Sequence, residues 1–164
     1  MSKTMNNLKE AFAGESQANR KYLAFAKQAD KEGHPQVARL FRAVAEAETV
    51  HAHAHLKLMG GIGTTEENLK EALSGETHEF TKMYPEMIAD AQEESQKAVE
   101  RGFHFANEVE KIHAGLYEKA LQNLGKQTEI DIHVCSVCGY TIEGETPEKC
   151  PVCNAAKKAF FKVD

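Results

Sequence analysis

Apolar positions recur along most of this chain every three to four residues, the period of a helix that buries one face. From about Thr4 to Leu124 the sequence is rich in Ala, Glu, Lys, Gln and Leu and poor in β-branched residues, which predicts helix after helix. Gly33-His34-Pro35 ends the first and Gly60-Gly61-Ile62-Gly63 the second. A third starts near Thr65-Glu66-Glu67 and runs into Pro85, which should kink or reset it. A break around Ser95 separates it from a fourth that ends at Gly125, with Gly102 a candidate interruption. Four long helices with a longer central connection predict a bundle with one crossover. After Lys126-Gln127-Thr128 the period changes, because Ile130, Ile132 and Val134 alternate with polar residues. All four cysteines then follow between positions 135 and 153. The expected domains are a bundle over 1–126 and a small β-containing module over 130–164. A module of roughly 35 residues needs a staple to fold.

The helical seams carry polar groups where the apolar stripe should continue. The second helix reads Val37, Phe41, Val44, Glu48, His51, His55, Leu58, and the fourth reads Phe103, Ala106, Glu110, His113, Tyr117, Leu121, Leu124. Each contains Glu-x-x-His, a spacing that sets a carboxylate and an imidazole on adjacent turns of one face. Glu15 shares a face with Leu8, Phe12 and Tyr22, and Glu76 with Leu69, Leu73, Phe80 and Met83. Burying unpaired carboxylates costs several kcal/mol each, and no Lys or Arg lies in these seams to offset them. One Glu from each of two helices with Glu-x-x-His from the other two is the donor set of a two-metal bundle. The separations repeat as well: Glu15 to Glu48 is 33 residues and Glu76 to Glu110 is 34, and Glu15 and Glu76 each follow a glycine. This pattern reads as an internal duplication. Its symmetry breaks at Glu79, a seventh potential ligand one turn after Glu76, where the first half has Ala18. It could compete with His51 for one metal, since a ferric ion favours carboxylate oxygen and a ferrous ion accepts imidazole.

His53 points about 200° away from His51 and should be solvated. His55, one turn beyond His51, reads as a seam residue. His34, His78, His104 and His133 carry no spacing argument. Tyr22 and Tyr84, seven and eight residues beyond Glu15 and Glu76, suit either core packing or a hydrogen bond to a ligand carboxylate. Cys135-x-x-Cys138 and Cys150-x-x-Cys153 present four thiolates, a set for zinc or iron, and the pattern reads as metal rather than disulfide. Spacing alone leaves a structural zinc ribbon and a one-iron redox centre nearly equal. Gly139-Tyr140 and Asn154-Ala155 tilt it toward iron, since a turn there lets amides approach sulfur.

Composition narrows the rest. Apolar residues are 41% and charged ones 27%, with a net charge of −5 and no basic block, which argues against nucleic acid as a partner. No apolar run suits a membrane span and the start lacks a secretion signal's apolar stretch, so the expected location is cytoplasmic.

Several segments together resemble the rubrerythrin family over nearly the whole length: residues 11–18 (AFAGESQA), 45–52 (AEAETVHA), 75–79 (GETHE) with Met83-Tyr84-Pro85, 108–113 (EVEKIH), and Cys135-x-x-Cys138-Gly139-Tyr140 with Cys150-Pro151-x-Cys153. The resemblance implies an all-α ferritin-like four-helix bundle with a C-terminal rubredoxin-like domain, two iron ions in a di-iron site, and one iron held by the four cysteines, Fe(Cys)4. It implies Glu15, Glu48, Glu76 and Glu110 as carboxylate ligands, His113 on one iron, and His51 and Glu79 as alternating ligands of the other. Glu79, His51, Tyr22 and Tyr84 are the residues expected to serve ligand exchange and protons. The implied reaction is reduction of hydrogen peroxide to water in oxidative-stress defence. Its electrons would come from a donor such as a rubredoxin or an NAD(P)H-dependent reductase, in a homodimer or higher homo-oligomer. Two other readings stand beside it: a ferritin-like ferroxidase that handles iron with oxygen, and a non-catalytic protein with structural zinc.

Overall fold

A computed structural model describes residues 2–164. The chain forms two compact units, one through Gly63 and one from Thr64 to Asp164. None of the described helices is long and apolar enough to cross a membrane.

The first unit is a hairpin of α1 (Lys3–Lys31) and α2 (Pro35–Leu58). Ser2 caps α1, its hydroxyl accepting from the Met5 amide, and Pro35 opens α2 where its missing N–H costs nothing. Between them Gly33 takes φ +80°, and the His34 amide closes the turn on the Ala29 carbonyl. The two helices meet through small residues: Ala26 and Ala29 of α1, and Ala38, Ala45 and Ala52 of α2, are all buried. This corrects the expected α2 seam at its ends, since Val37 is 46% exposed and Leu58 70%. A heptad-spaced alanine line lets two helix axes approach closely, and in a hairpin that line takes the contact. Asn19 locks the register, its Nδ2 donating to the Ala45 carbonyl at 2.7 Å and the Thr49 hydroxyl at 2.8 Å.

The second unit begins with α3 (Thr65–His78), started by a capping box between Thr64 and Glu67. The helix passes into a π-helical turn, Glu79–Met83, and continues as α4 (Tyr84–Glu93). The expected reset at Pro85 therefore takes the form of a π-turn just before the proline, in which the Tyr84 amide reaches back to the Glu79 carbonyl. Ser95, at φ 59°, ends α4 as glycines end α1 and α2. Then α5 (Lys97–Gln122) runs through Gly102 without interruption. Val109 and Ala114 of α5 and Ile88 and Ala91 of α4 are buried.

The C-terminal module of this unit is a three-stranded antiparallel sheet in the order β2-β1-β3. Its strands are β1 (Ile132–Cys135), β2 (Thr141–Glu143) and β3 (Phe160–Val163). Ile130 stays outside the sheet and is half exposed. Tyr140 packs edge-on against Phe160. The module meets α5 at Gly139, where a Cβ would come within 3.7 Å of the Val109 side chain, and through an ion pair of Lys119 with Glu143.

Candidate metal centres

The two Cys-x-x-Cys pairs sit on two knuckles of the same construction. In each, the amide of the residue after the second cysteine closes a turn on the first cysteine's carbonyl: Gly139 to Cys135 and Asn154 to Cys150, both 2.9 Å. Both residues adopt the left-handed conformation, Gly139 at φ +86° and Asn154 at φ 61°. That turn sends the next amide to sulfur, Tyr140 to Cys138 and Ala155 to Cys153. Burial opposes ionisation of Cys135, but the amides of Val137 and Cys138, together with hydrogen bonds from the Cys153 and Cys138 thiols, hold its thiol below the ordinary value. Burial pushes Cys138 and Cys153 up.

Sulfurs of Cys135 and Cys153 are 3.7 Å apart and those of Cys138 and Cys150 3.5 Å. A tetrahedral site with metal–sulfur bonds of about 2.3 Å separates its sulfurs by about 3.8 Å, whereas a disulfide joins them at about 2.05 Å. The four thiols fit one metal ion, and the amides aimed at sulfur fit a redox iron whose thiolate charge is stabilised by N–H donors.

Each unit carries a carboxylate–carboxylate–imidazole triad, Glu15, Glu48 and His51 in the first and Glu76, Glu110 and His113 in the second, with ligand atoms within 4.8 Å of one another. The two are built alike. His51 Nδ1 is 3.2 Å from Glu48 and 3.8 Å from Glu15, and His113 Nδ1 is 2.8 Å from Glu110 and 3.7 Å from Glu76. Within each triad the two carboxyls lie close together, and a proton shared between them relieves their repulsion. The shared proton, with burial, lifts Glu15 above the usual carboxylate range, while for Glu48 hydrogen bonding by Glu15 and by His51 outweighs burial and holds it below that range. Glu76 is pushed up to about 7, first by burial and then by the hydrogen bond and charge of Glu110, with His113 partly offsetting. A carboxyl pair that keeps a proton for want of positive charge, with an imidazole nitrogen beside it, is the environment a divalent cation relieves. The donors fit iron.

Of the other expected site residues, Glu79 is half-buried and lies outside the Glu76 triad, although its charge reaches Tyr84. Tyr84 packs against Phe103, and burial, with the charges of Glu110, Glu79 and Glu76, raises its phenol. Tyr22 instead packs on Phe25 and Phe41. His53 is exposed, and His55 is half-buried with Nδ1 unpartnered among the described residues.

One contact has no forerunner in the sequence pattern. His113 turns its far nitrogen, Nε2, to the Thr141 hydroxyl at 3.0 Å and the Gly139 carbonyl at 3.3 Å. One imidazole thus touches the carboxylates at one end and the residue after Cys138 at the other. Beside it, a cavity of about 450 Å³ is lined by Leu69, Glu76, His113, Leu116 and Tyr117, among others.

Comparison with known proteins follows these features. The family profile described as rubrerythrin matches residues 6–121, and that of the rubrerythrin rubredoxin-like domain matches residues 133–161. Rubrerythrin-2 of Clostridium acetobutylicum is 36% identical, over 96% of this chain and 95% of its own length. Nigerythrin of Nitratidesulfovibrio vulgaris is 37% identical, over 96% and 85%. The solved structure of nigerythrin in a partially reduced state superposes with a TM-score of 0.61 at 35% identity, over 99% of this chain and 88% of that one. The fold class is accordingly all-α ferritin-like with a small C-terminal rubredoxin-like domain.

Proposed function

The chain belongs to the rubrerythrin family, an iron-dependent oxidoreductase family with a di-iron site and an Fe(Cys)4 site, and we propose that it is a non-haem di-iron peroxidase reducing hydrogen peroxide to water. In this reading it serves oxidative-stress defence in the cytoplasm as a homo-oligomer, drawing electrons from a rubredoxin or an NAD(P)H-dependent reductase. The division of labour follows the expected domains, with residues 1–126 holding the two-iron ligands and 130–164 the one-iron site.

The iron pair, when bound, supplies the two electrons that convert one peroxide and two protons into two waters. The chain does the rest. Glu15, Glu48, Glu76 and Glu110 give up their shared protons and hold the ions, His113 serves one ion, and His51 and Glu79 exchange on the other. Tyr84, within the field of three carboxylates, keeps its phenolic proton and offers it as a hydrogen-bond donor. Tyr22 supports the Glu15 helix by packing. Cys135, Cys138, Cys150 and Cys153 hold the relay iron. The cavity beside Glu76 and His113 is large enough for hydrogen peroxide and water.

The observation that carries this reading is the reach of His113 from Glu110 to the Gly139 carbonyl. An electron relay uses that link between two donor sets, whereas iron storage has no use for it. The test mixes anaerobic, fully reduced, iron-loaded protein with peroxide and, separately, with oxygen in a stopped-flow instrument. Oxidation by peroxide should be at least about tenfold faster. Equal or faster oxidation by oxygen would sink the peroxidase and favour the ferroxidase. Glu79→Ala should keep iron and slow peroxide turnover, and unchanged turnover would remove Glu79 from the exchange.

A further inference from the structure

We propose that Thr141 is a positioning residue for His113, holding the ring in the Nε2–H form with Nδ1 aimed at the carboxylates. The hydroxyl of Thr141 has a single proton, and it donates that proton to the Gly139 carbonyl at 3.0 Å. What Thr141 presents to His113 Nε2, at 3.0 Å, is therefore a lone pair. The Gly139 carbonyl, 3.3 Å from the same nitrogen, also has only lone pairs to offer. Two acceptors face one ring nitrogen, so that nitrogen carries hydrogen. In a neutral imidazole the remaining lone pair then belongs to Nδ1, which stands 2.8 Å from Glu110 and 3.7 Å from Glu76.

Position matters as much as protonation. Thr141 opens β2, three residues beyond Cys138, while His113 stands on α5. The hydroxyl thus converts the docking of the small module, already fixed by Gly139 against Val109 and by Lys119 with Glu143, into an orientation of the ring. Valine has nearly the same shape but replaces the oxygen with a methyl group. A carbon cannot approach a ring nitrogen as closely as a hydrogen-bonded oxygen, so the ring must shift by a few tenths of an ångström and carry Nδ1 with it.

This role rests on the Glu76 triad being a metal site, and the experiment separates the two ideas. Full-length protein is loaded with zinc, first one equivalent for the thiolates and then further equivalents titrated by calorimetry. In parallel the His113 Nε2–H is followed by 15N–1H correlation and its exchange with solvent timed. In Thr141→Val the ring N–H should exchange at least tenfold faster and zinc beyond the first equivalent should bind about tenfold more weakly, the scale of lost outer-sphere support. Thr141→Ser should restore both. An intact Fe(Cys)4 absorption band in the iron-loaded variant would show that its module is folded. Wild-type exchange and zinc affinity within twofold in Thr141→Val would overturn the role of Thr141. Wild-type protein that takes zinc only at the cysteines would instead overturn the metal-site reading, and the ring N–H comparison would still judge Thr141.

Discussion

Loading of the Glu76 triad should release a proton, with the dependence breaking near pH 7. In the metal-free protein the Glu76 carboxyl is lifted from 4.5 to about 7, by burial first and by Glu110 second. A cation that takes this carboxylate must displace its proton, so apparent affinity falls as pH drops below 7 by up to about tenfold per unit and is flat above it. Between pH 7 and pH 5 that amounts to about fiftyfold from this one carboxyl. The release should be about 0.9 proton at pH 6 and about 0.1 at pH 8. The effect on folding has the opposite sense without metal. A carboxyl raised in the folded state contributes stability fully below pH 4.5 and loses it as pH rises through 7, so this group makes the metal-free protein less stable at pH 8 than at pH 5. Calorimetric titration with zinc in buffers of different ionisation enthalpy counts the protons. The difference between wild type and Glu76→Gln isolates this carboxyl from whatever else titrates. Equal release by both proteins at pH 6 would refute the shared-proton account of the triad.

Two further outcomes test how the donor sets are held. Asn19→Leu removes two interhelical hydrogen bonds from the hairpin and should cost about 2 kcal/mol at about 1 kcal/mol each, read as a lower urea midpoint with an unchanged slope; a loss below about 0.5 kcal/mol would mean that the alanine line alone sets the register. Gly139→Ala should destabilise the module by about 1–2 kcal/mol, read as earlier thermal loss of the Fe(Cys)4 absorption, because its φ of +86° strains any Cβ even though the nearest atom leaves room; an unchanged transition would show that the knuckle tolerates alanine there.

The helices and the donor residues are legible in the sequence because both depend on local spacing. Glu-x-x-His needs only the helix repeat to place its two side chains together, and Cys-x-x-Cys needs only a tight turn. The knuckle turns were legible too, since glycine at 139 and asparagine at 154 are residues that accept positive φ. Contacts between elements were not. Whether α2 would press Val37 or Ala38 against α1 turns on a rotation of about 100°, which an apolar pattern containing both cannot fix. Thr141 stands 28 residues from His113, across a linker whose composition sets no docking geometry. The sequence marks its neighbours Cys138 and Gly139 for metal chemistry and leaves the threonine unmarked.

The π-turn shows how an irregularity can be written in the spacing itself. Glu15 precedes Tyr22 by seven residues, two turns of α-helix, whereas Glu76 precedes Tyr84 by eight. A uniform α-helix would rotate the second tyrosine about 80° away from its glutamate. A π-turn absorbs one residue, and the turn lies between Glu76 and Tyr84, so the phenol remains within the field of Glu76 and Glu110. Thr77 and Thr81 hydrogen-bond back to the carbonyls four residues earlier across this stretch. Two copies of one ligand pattern thus differ by an inserted residue as well as by Glu79 in place of Ala18. The inserted stretch begins at Glu79, the residue with no acidic counterpart in the first half. The halves differ in backbone and in side chain at one place, since the extra carboxylate stands where the π-turn starts.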